Sequence, residues 1–179
     1  MQVTISANGK NIKAEISEEQ AKILGLVEDK PKTGYEGREE CNNKKHYFVN
    51  TIDLVIEDEN TVLFDQNRYD VGNYYSDKTI AENNARADRL LRQLRQWQAL
   101  NDKPISQSDW EDNGKNKWCI LYSYGAEKLY VDYFHYIRLH NVIYFTTKEK
   151  AEEAIEVFKD ELLWYFTEYV QRLDEAQNG

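Results

Sequence analysis

The chain has 179 residues, 32 of them acidic and 23 basic, for a net charge of −9, with 41% hydrophobic and 13% aromatic side chains. Totals of this kind describe one folded domain or two small ones rather than a disordered chain. They argue against direct binding of a long polyanion, which needs clustered lysine and arginine.

The acid is uneven. Residues 105–179 hold 14 acidic and 8 basic groups, whereas residues 65–104 hold 6 and 7. The opening stretch, "MQVTISANGK", has neither a basic segment nor an apolar one of the kind that directs secretion. No apolar run approaches the ~18–20 residues of a membrane span. A cytoplasmic protein is expected, with Cys41 and Cys119 as reduced thiols, because neither belongs to a CxxC pair.

Elements follow in chain order. "QVTISANGKNIKAEIS" alternates apolar and polar residues on both sides of Asn8-Gly9, which predicts a β-hairpin. Ser17 with Gln20 three residues on forms a capping-box pattern, and Gly25 supplies a stop, so residues 17–25 predict a short helix. The first unit is thus a ββα element over residues 1–27. Residues 28–45 carry Pro31, Gly34, Gly37 and many charges, and predict a linker.

Residues 46–104 predict a βββα unit. "HYFVNTIDLVIED" and "TVLFDQ" read as strands with "DENT" as the turn, and "GNYYS" as a third extended piece. Ser76 or Asp77 then caps a helix running to about Leu100. Residues 105–179 repeat the order. "KWCILYSYG" and "KLYVDYFHYIR" read as strands around "YGAEK", "VIYFT" as the third, and Thr146 or Thr147 as the cap of a helix to about Leu173. A shift of 70 residues aligns Tyr74 with Tyr144, Tyr75 with Phe145, Ala81 with Ala151 and Glu82 with Glu152. The expected fold class is α+β, an N-terminal ββα element followed by two βββα repeats with largely antiparallel sheet. Duplication explains the match, as do two unrelated strand–cap–helix joints with the same local chemistry.

In the last helix Ala151, Ala154, Ile155, Phe158, Leu162, Tyr165, Phe166, Tyr169 and Leu173 share one face. Val157 and Trp164 point elsewhere, so a second covering surface is expected. It is supplied either by the rest of the chain or by a second copy docking on the 148–173 helix.

The search for catalytic signatures is negative: no GxSxG, GxGxxG, P-loop or HExxH pattern occurs. A non-enzyme without cofactor or metal is expected. His135 and His140 with Asp132 could in principle approach a metal, but strand-plus-turn geometry does not force them together. In "RADRLLRQLRQW", Arg86, Arg89, Arg92 and Arg95 recur every three residues and fan around a helix whose buried stripe is Ala87, Leu90, Leu91 and Leu94. Either these arginines pair with nearby carboxylates, or they form an anion site in which guanidinium binds phosphate and an aromatic ring stacks a base. The aromatic strand "YVDYFHYIR" is apolar on both faces, one of which is available to a ligand, a partner or a second subunit. The acidic "KEKAEEAIEVFKDEL" is either a solvated helix face or a surface that imitates a nucleic-acid backbone.

"GNYYSDKTIAENNARADRLLRQLRQWQALNDKP", "VIYFTTKEKAEEAIEVFKDELLWYF" and "TEYVQRLDE", across residues 46–175, resemble small accessory proteins carried by temperate phages of Firmicutes. The resemblance implies an inhibitor of bacterial immunity acting in the cytoplasm of the infected host. One form is a sponge that sequesters a nucleotide-derived immune signal. For that form the arginine and aromatic content of the chain, rather than the resemblance, makes Arg86, Arg89, Trp97, Tyr136 and Arg138 the expected ligand-binding residues. The alternative is an anti-CRISPR protein that blocks a Cas nuclease through an acidic surface that includes Glu152, Glu153 and Glu156.

Overall fold

The computed structural model describes residues 2–7, 10–26, 32–36, 45–58 and 62–177. The chain divides into two compact units, residues 1–32 and 33–179. It is mixed α and β, with small two-stranded antiparallel sheets.

In the first unit β1 (Gln2–Ala7) pairs with β2 (Lys10–Glu15), and Ala7 stands opposite Lys10. That register leaves a two-residue connection. The expected Asn8-Gly9 turn itself lies outside the described residues. Helix α1 (Glu18–Ile23) starts in a reciprocal capping box. Ser17 Oγ accepts from the Gln20 N–H at 3.1 Å, and the Ser17 N–H donates to Gln20 Oε1 at 3.0 Å. Two donors that the first turn leaves without partners are thereby satisfied.

In the second unit β3 (His46–Val49) and β4 (Val55–Asp58) form an antiparallel hairpin. This corrects the expected strand "HYFVNTIDLVIED", which contains a whole hairpin. Asn50 makes the turn, its Oδ1 accepting from the N–H groups of Ile52 and Leu54 at 3.0 and 2.9 Å. Asp53 sits at φ +61°, in the left-handed region that Asp tolerates. Turn chemistry at Asn50 and Asp53 outweighs the strand propensity of Ile52 and Leu54. "VLFDQ" is helical, part of α2 (Val62–Asp70), where Asp65 in the first turn and Arg68 in the last suit the helix dipole.

Helix α3 (Lys78–Asn101) is capped by Asp77, whose Oδ1 accepts from the Ile80 N–H at 3.0 Å. Ser76 instead donates its hydroxyl to Glu36. The short α4 (Gln107–Glu111), with its own Ser106–Asp109 capping box, falls where no element was expected. Strands β5 (Lys117–Ser123) and β6 (Lys128–Phe134) pair antiparallel around the expected turn, although β6 stops at Phe134, before "HYIR". Helix α5 (Lys148–Thr167) is capped by Thr147 and kinked at Phe158. It ends at Thr167 rather than near Leu173, which opens a separate 3-10 turn, Leu173–Gln177.

The expected third strands are single bridges. Tyr47 and Tyr75 exchange two backbone hydrogen bonds, of 2.8 and 2.9 Å, and Trp118 and Phe145 exchange two of 2.9 and 2.7 Å. Tyr75 and Phe145 are both buried, and each leads directly into a capped helix.

Two apolar clusters hold the unit. One joins α3 to α5 and the β5–β6 sheet through Leu90, Leu94, Phe145, Ala151, Ala154 and Leu162. The other gathers Tyr75, Ile80 and Ala81 with Tyr35, Tyr47, Val49, Val55, Val170 and Leu173. Tyr35 lies within the expected 28–45 linker, of which residues 33–36 dock on this cluster. Gly34 permits the contact: at φ +88°, a Cβ there would stand 2.8 Å from Ile80 Cγ1. On α5, Trp164 is buried beneath the guanidinium of Arg86, while Val157 is 59% exposed. The two residues do not form one continuous second face. Among the described residues no helix is long and apolar enough to cross a membrane.

Cys119 is fully buried, and burial pushes its thiol from near 9 up to about 11. Because thiolate is the reactive form, alkylation of Cys119 at neutral pH should require unfolding. Peptide mass mapping after an iodoacetamide pulse, with and without denaturant, checks this. The raised value also has a sign for stability. The thiol contributes fully below about pH 9, and the contribution is lost as pH rises toward 11.

Candidate functional site

An open groove of about 760 Å³ lies between β6 and the first half of α5. Its position follows from the hairpin. The register Ile120–Val131 and Tyr122–Leu129 places Leu129 and Val131 against the core shared with α5, together with Ile155. Tyr130, between them, faces the opposite side and is 37% exposed. Leu129, Val131 and Ile155 give the groove its apolar floor.

Its wall is acidic. Glu149, Glu152, Glu153 and Glu156 project from one flank of α5 over about two turns, and the lining of the groove opposes them with Lys128 and Lys148. Four carboxylates against two ammonium groups leave an excess of two negative charges. Lys148 is spent on Glu152 at 3.0 Å, and Lys150, just outside, on Glu153 at 2.7 Å. Among the described residues Glu149 and Glu156 have no ion-pair partner. Such exposed pairs are worth at most about 1 kcal/mol each, so an incoming cation can displace them.

The five residues expected to hold a nucleotide line neither this groove nor the second cavity. Arg86 makes a bidentate pair with Glu161, Nε to Oε2 at 2.8 Å and Nη2 to Oε1 at 3.0 Å, and lies 3.9 Å above the Trp164 ring. The pair holds the Arg86 guanidinium above its ordinary range and the Glu161 carboxyl below its own. Arg89 turns to Asp53, with Nε 3.3 Å from Oδ2, and Arg92 reaches the same carboxylate at 2.6 Å. Trp97 packs edge-on to Phe145 at 6.0 Å in the core. Tyr136 is 71% exposed, and Arg138 lies 5.5 Å from the Trp110 ring beside α4. Arg86 and Arg89 are neighbours on one helix, and among the described residues no hydrogen bond, ion pair or cation–ring contact joins either to Trp97, Tyr136 or Arg138.

A second cavity, of about 430 Å³, borders α4 and the start of β5. Lys117 reaches it from an almost wholly buried position. Its ammonium donates to the carbonyls of Asp112, at 2.9 Å, and His135. Lys115 is paired with Asp109 at 2.5 Å, which holds that carboxyl far below its usual range. Both lysines are engaged within the chain.

A buried ionic cluster lies elsewhere, under Tyr74. His46 Nε2 and carboxylate oxygens of Asp58 and Asp65 fall within 4.8 Å of one another. His46 stacks on Tyr74 at 4.4 Å. This donor set resembles one that could hold a metal, but the Arg68 guanidinium already stands at its centre. Arg68 Nη1 is 2.7 Å from Asp58 Oδ2, 3.4 Å from Asp65 Oδ1 and 3.5 Å from His46 Nε2. The guanidinium supplies the positive charge and the donors that a cation would supply. The sequence carries no spacing signal for this cluster, because His46 and Asp65 come from different elements. Among the described residues, His135, His140 and Asp132 form no such cluster.

Comparison of the chain with family models, with curated proteins and with solved structures gives no match.

Proposed function

We propose that this chain is a non-enzymatic binding protein that occupies a cationic surface of another protein with the acidic β6–α5 groove. One observation carries the proposal. The groove joins an apolar floor to four glutamates, of which Glu149 and Glu156 are left without ion partners among the described residues. That combination suits a partner which presents lysine or arginine on aliphatic stems. Capture of a nucleotide-derived signal is the weaker reading, because Arg86 and Arg89 already spend their charge on Glu161 and Asp53. The resemblance to phage accessory proteins suggests a host defence nuclease as the partner, engaged in the bacterial cytoplasm at its nucleic-acid groove. We further propose that residues 46–104 and 105–179 descend from one duplicated unit. The paired bridges at Tyr75 and Phe145 and the caps at Asp77 and Thr147 support that history.

The test uses a fluorescein-labelled decapeptide alternating lysine with threonine. It should bind the protein at low salt and weaken steeply as salt is raised toward 0.2 M, where charges more than about 7 Å apart are screened. Reversal at three exposed positions, Glu152→Lys, Glu153→Lys and Glu156→Lys together, should cost roughly tenfold or more in affinity without loss of circular dichroism. Equal binding by the reversed protein would remove the groove from the account.

A further inference from the structure

The hydrogen-bonding pattern of the β5–β6 hairpin fixes which edge of β6 is open. Trp118 spends both its backbone N–H and C=O on Phe145, at 2.9 and 2.7 Å. Those groups therefore point away from β6. In an antiparallel ladder, paired residues alternate between those that exchange both hydrogen bonds and those that exchange none. Trp118 stands opposite Tyr133, so that pair exchanges none. By alternation Ile120–Val131 and Tyr122–Leu129 are also pairs of this kind. The polar backbone groups of Leu129, Val131 and Tyr133 consequently face outward. Among the described residues no strand pairs with that edge.

Among the described residues only Tyr133 is provided for locally, its N–H donating to Asp132 Oδ1 at 2.8 Å. Leu129 and Val131 also line the acidic groove. An unpaired strand edge is a template for another strand, and this one runs beside a helix flank carrying four glutamates.

We propose that the groove recognises its partner by strand addition: an extended lysine- or arginine-rich segment pairs with the outer edge of β6 and directs alternate side chains at Glu149, Glu152, Glu153 and Glu156. The inference rests on the groove being the binding site. The spacings agree. Alternate residues of a strand repeat every ~6.8 Å, and one turn of a helix rises ~5.4 Å, a mismatch that a flexible lysine stem absorbs. Backbone pairing supplies affinity without regard to sequence, and the acidic flank selects for positive charge. An acidic strand would meet the same edge and be repelled by the glutamates, which also protects the edge against pairing with a second copy of this acidic chain, whereas a neutral strand would gain the backbone pairing alone.

The test compares the lysine–threonine decapeptide with a version N-methylated at every backbone amide, which keeps its charges and loses its donors. Binding is read by fluorescence and by amide hydrogen exchange of the intact protein. The unmodified peptide should bind at least tenfold more tightly, and it should slow exchange at Leu129 and Val131 at least tenfold. If both peptides bind alike and neither protects those amides, strand addition is overturned while the acidic groove stands. If neither binds, the groove and the pairing fall together.

Discussion

Phe145→Ala should be among the most destabilising single substitutions in this protein, lowering unfolding free energy by about 3–5 kcal/mol. Phe145 is completely buried and touches three elements at once. Its backbone closes the outer edge of β5 through Trp118, its ring meets the edge of Trp97, and it belongs to the cluster that seats α5 on α3. Removing the ring deletes contacts that no neighbour can restore, because Ala151 and Ala154 beside it are too small to fill the space. At roughly 2–4 °C per kcal/mol, Tm should fall by roughly 6–20 °C. Phe145→Leu, which keeps most of the volume, should cost no more than about 1.5–2 kcal/mol. Urea titration followed by tryptophan fluorescence measures both, through a shift of midpoint at constant slope. A loss below about 1 kcal/mol for Phe145→Ala would show that the second cluster of the fold, around Tyr75, carries the unit alone.

Arg68→Ala should come next, at about 3 kcal/mol. The charge it removes sits among Asp58, Asp65 and His46, two of which are almost fully buried. Without Arg68, Asp65 keeps a desolvated carboxylate and loses a donor. The figure lies at the low end for a broken buried pair because the side chains of Arg68 and Asp58 remain 21% and 28% exposed. Packing is also lost, since the guanidinium lies 3.5 Å over the Phe48 ring. Two variants separate the contributions. Arg68→Lys keeps the charge without the planar fork, and Arg68→Met keeps the stem without the charge. Thermal unfolding should rank them wild type, then Lys, then Met, then Ala. If Met matched or exceeded the wild type, apolar packing alone would explain the position of Arg68, and the ionic cluster would contribute nothing to stability.

Local chemistry was legible in the sequence. Ser17 with Gln20 caps its helix as the spacing announced, and of the alternatives Ser76 or Asp77 and Thr146 or Thr147 it is Asp77 and Thr147 that cap theirs. The β5–β6 hairpin was equally plain, because alternation on both sides of a glycine-containing turn leaves little choice. Legibility failed where tertiary partners decide. "VLFDQ" is apolar enough for a strand, yet it is helical and carries Asp65 to His46 and Arg68. The turn at Asn50–Asp53 was hidden because Ile52 and Leu54 favour strands, and both are more than half exposed. The arginine periodicity of α3 was visible, whereas its carboxylate partners, Asp53 and Glu161, come from distant segments that no spacing rule links to it. The acidic flank of α5 was visible too. That it borders an open strand edge depends on which residues of β5 bond to Phe145, a fact of register rather than of composition.

The central claim concerns where a cationic partner lands. The most direct measurement is an NMR titration of isotope-labelled protein with the lysine–threonine decapeptide. Shifts should concentrate in residues 128–133 and 148–156 and spare the α3 arginines, Arg86 through Arg95. Shifts that instead cluster on α3, or around Lys115 and Lys117 at the second cavity, would contradict it.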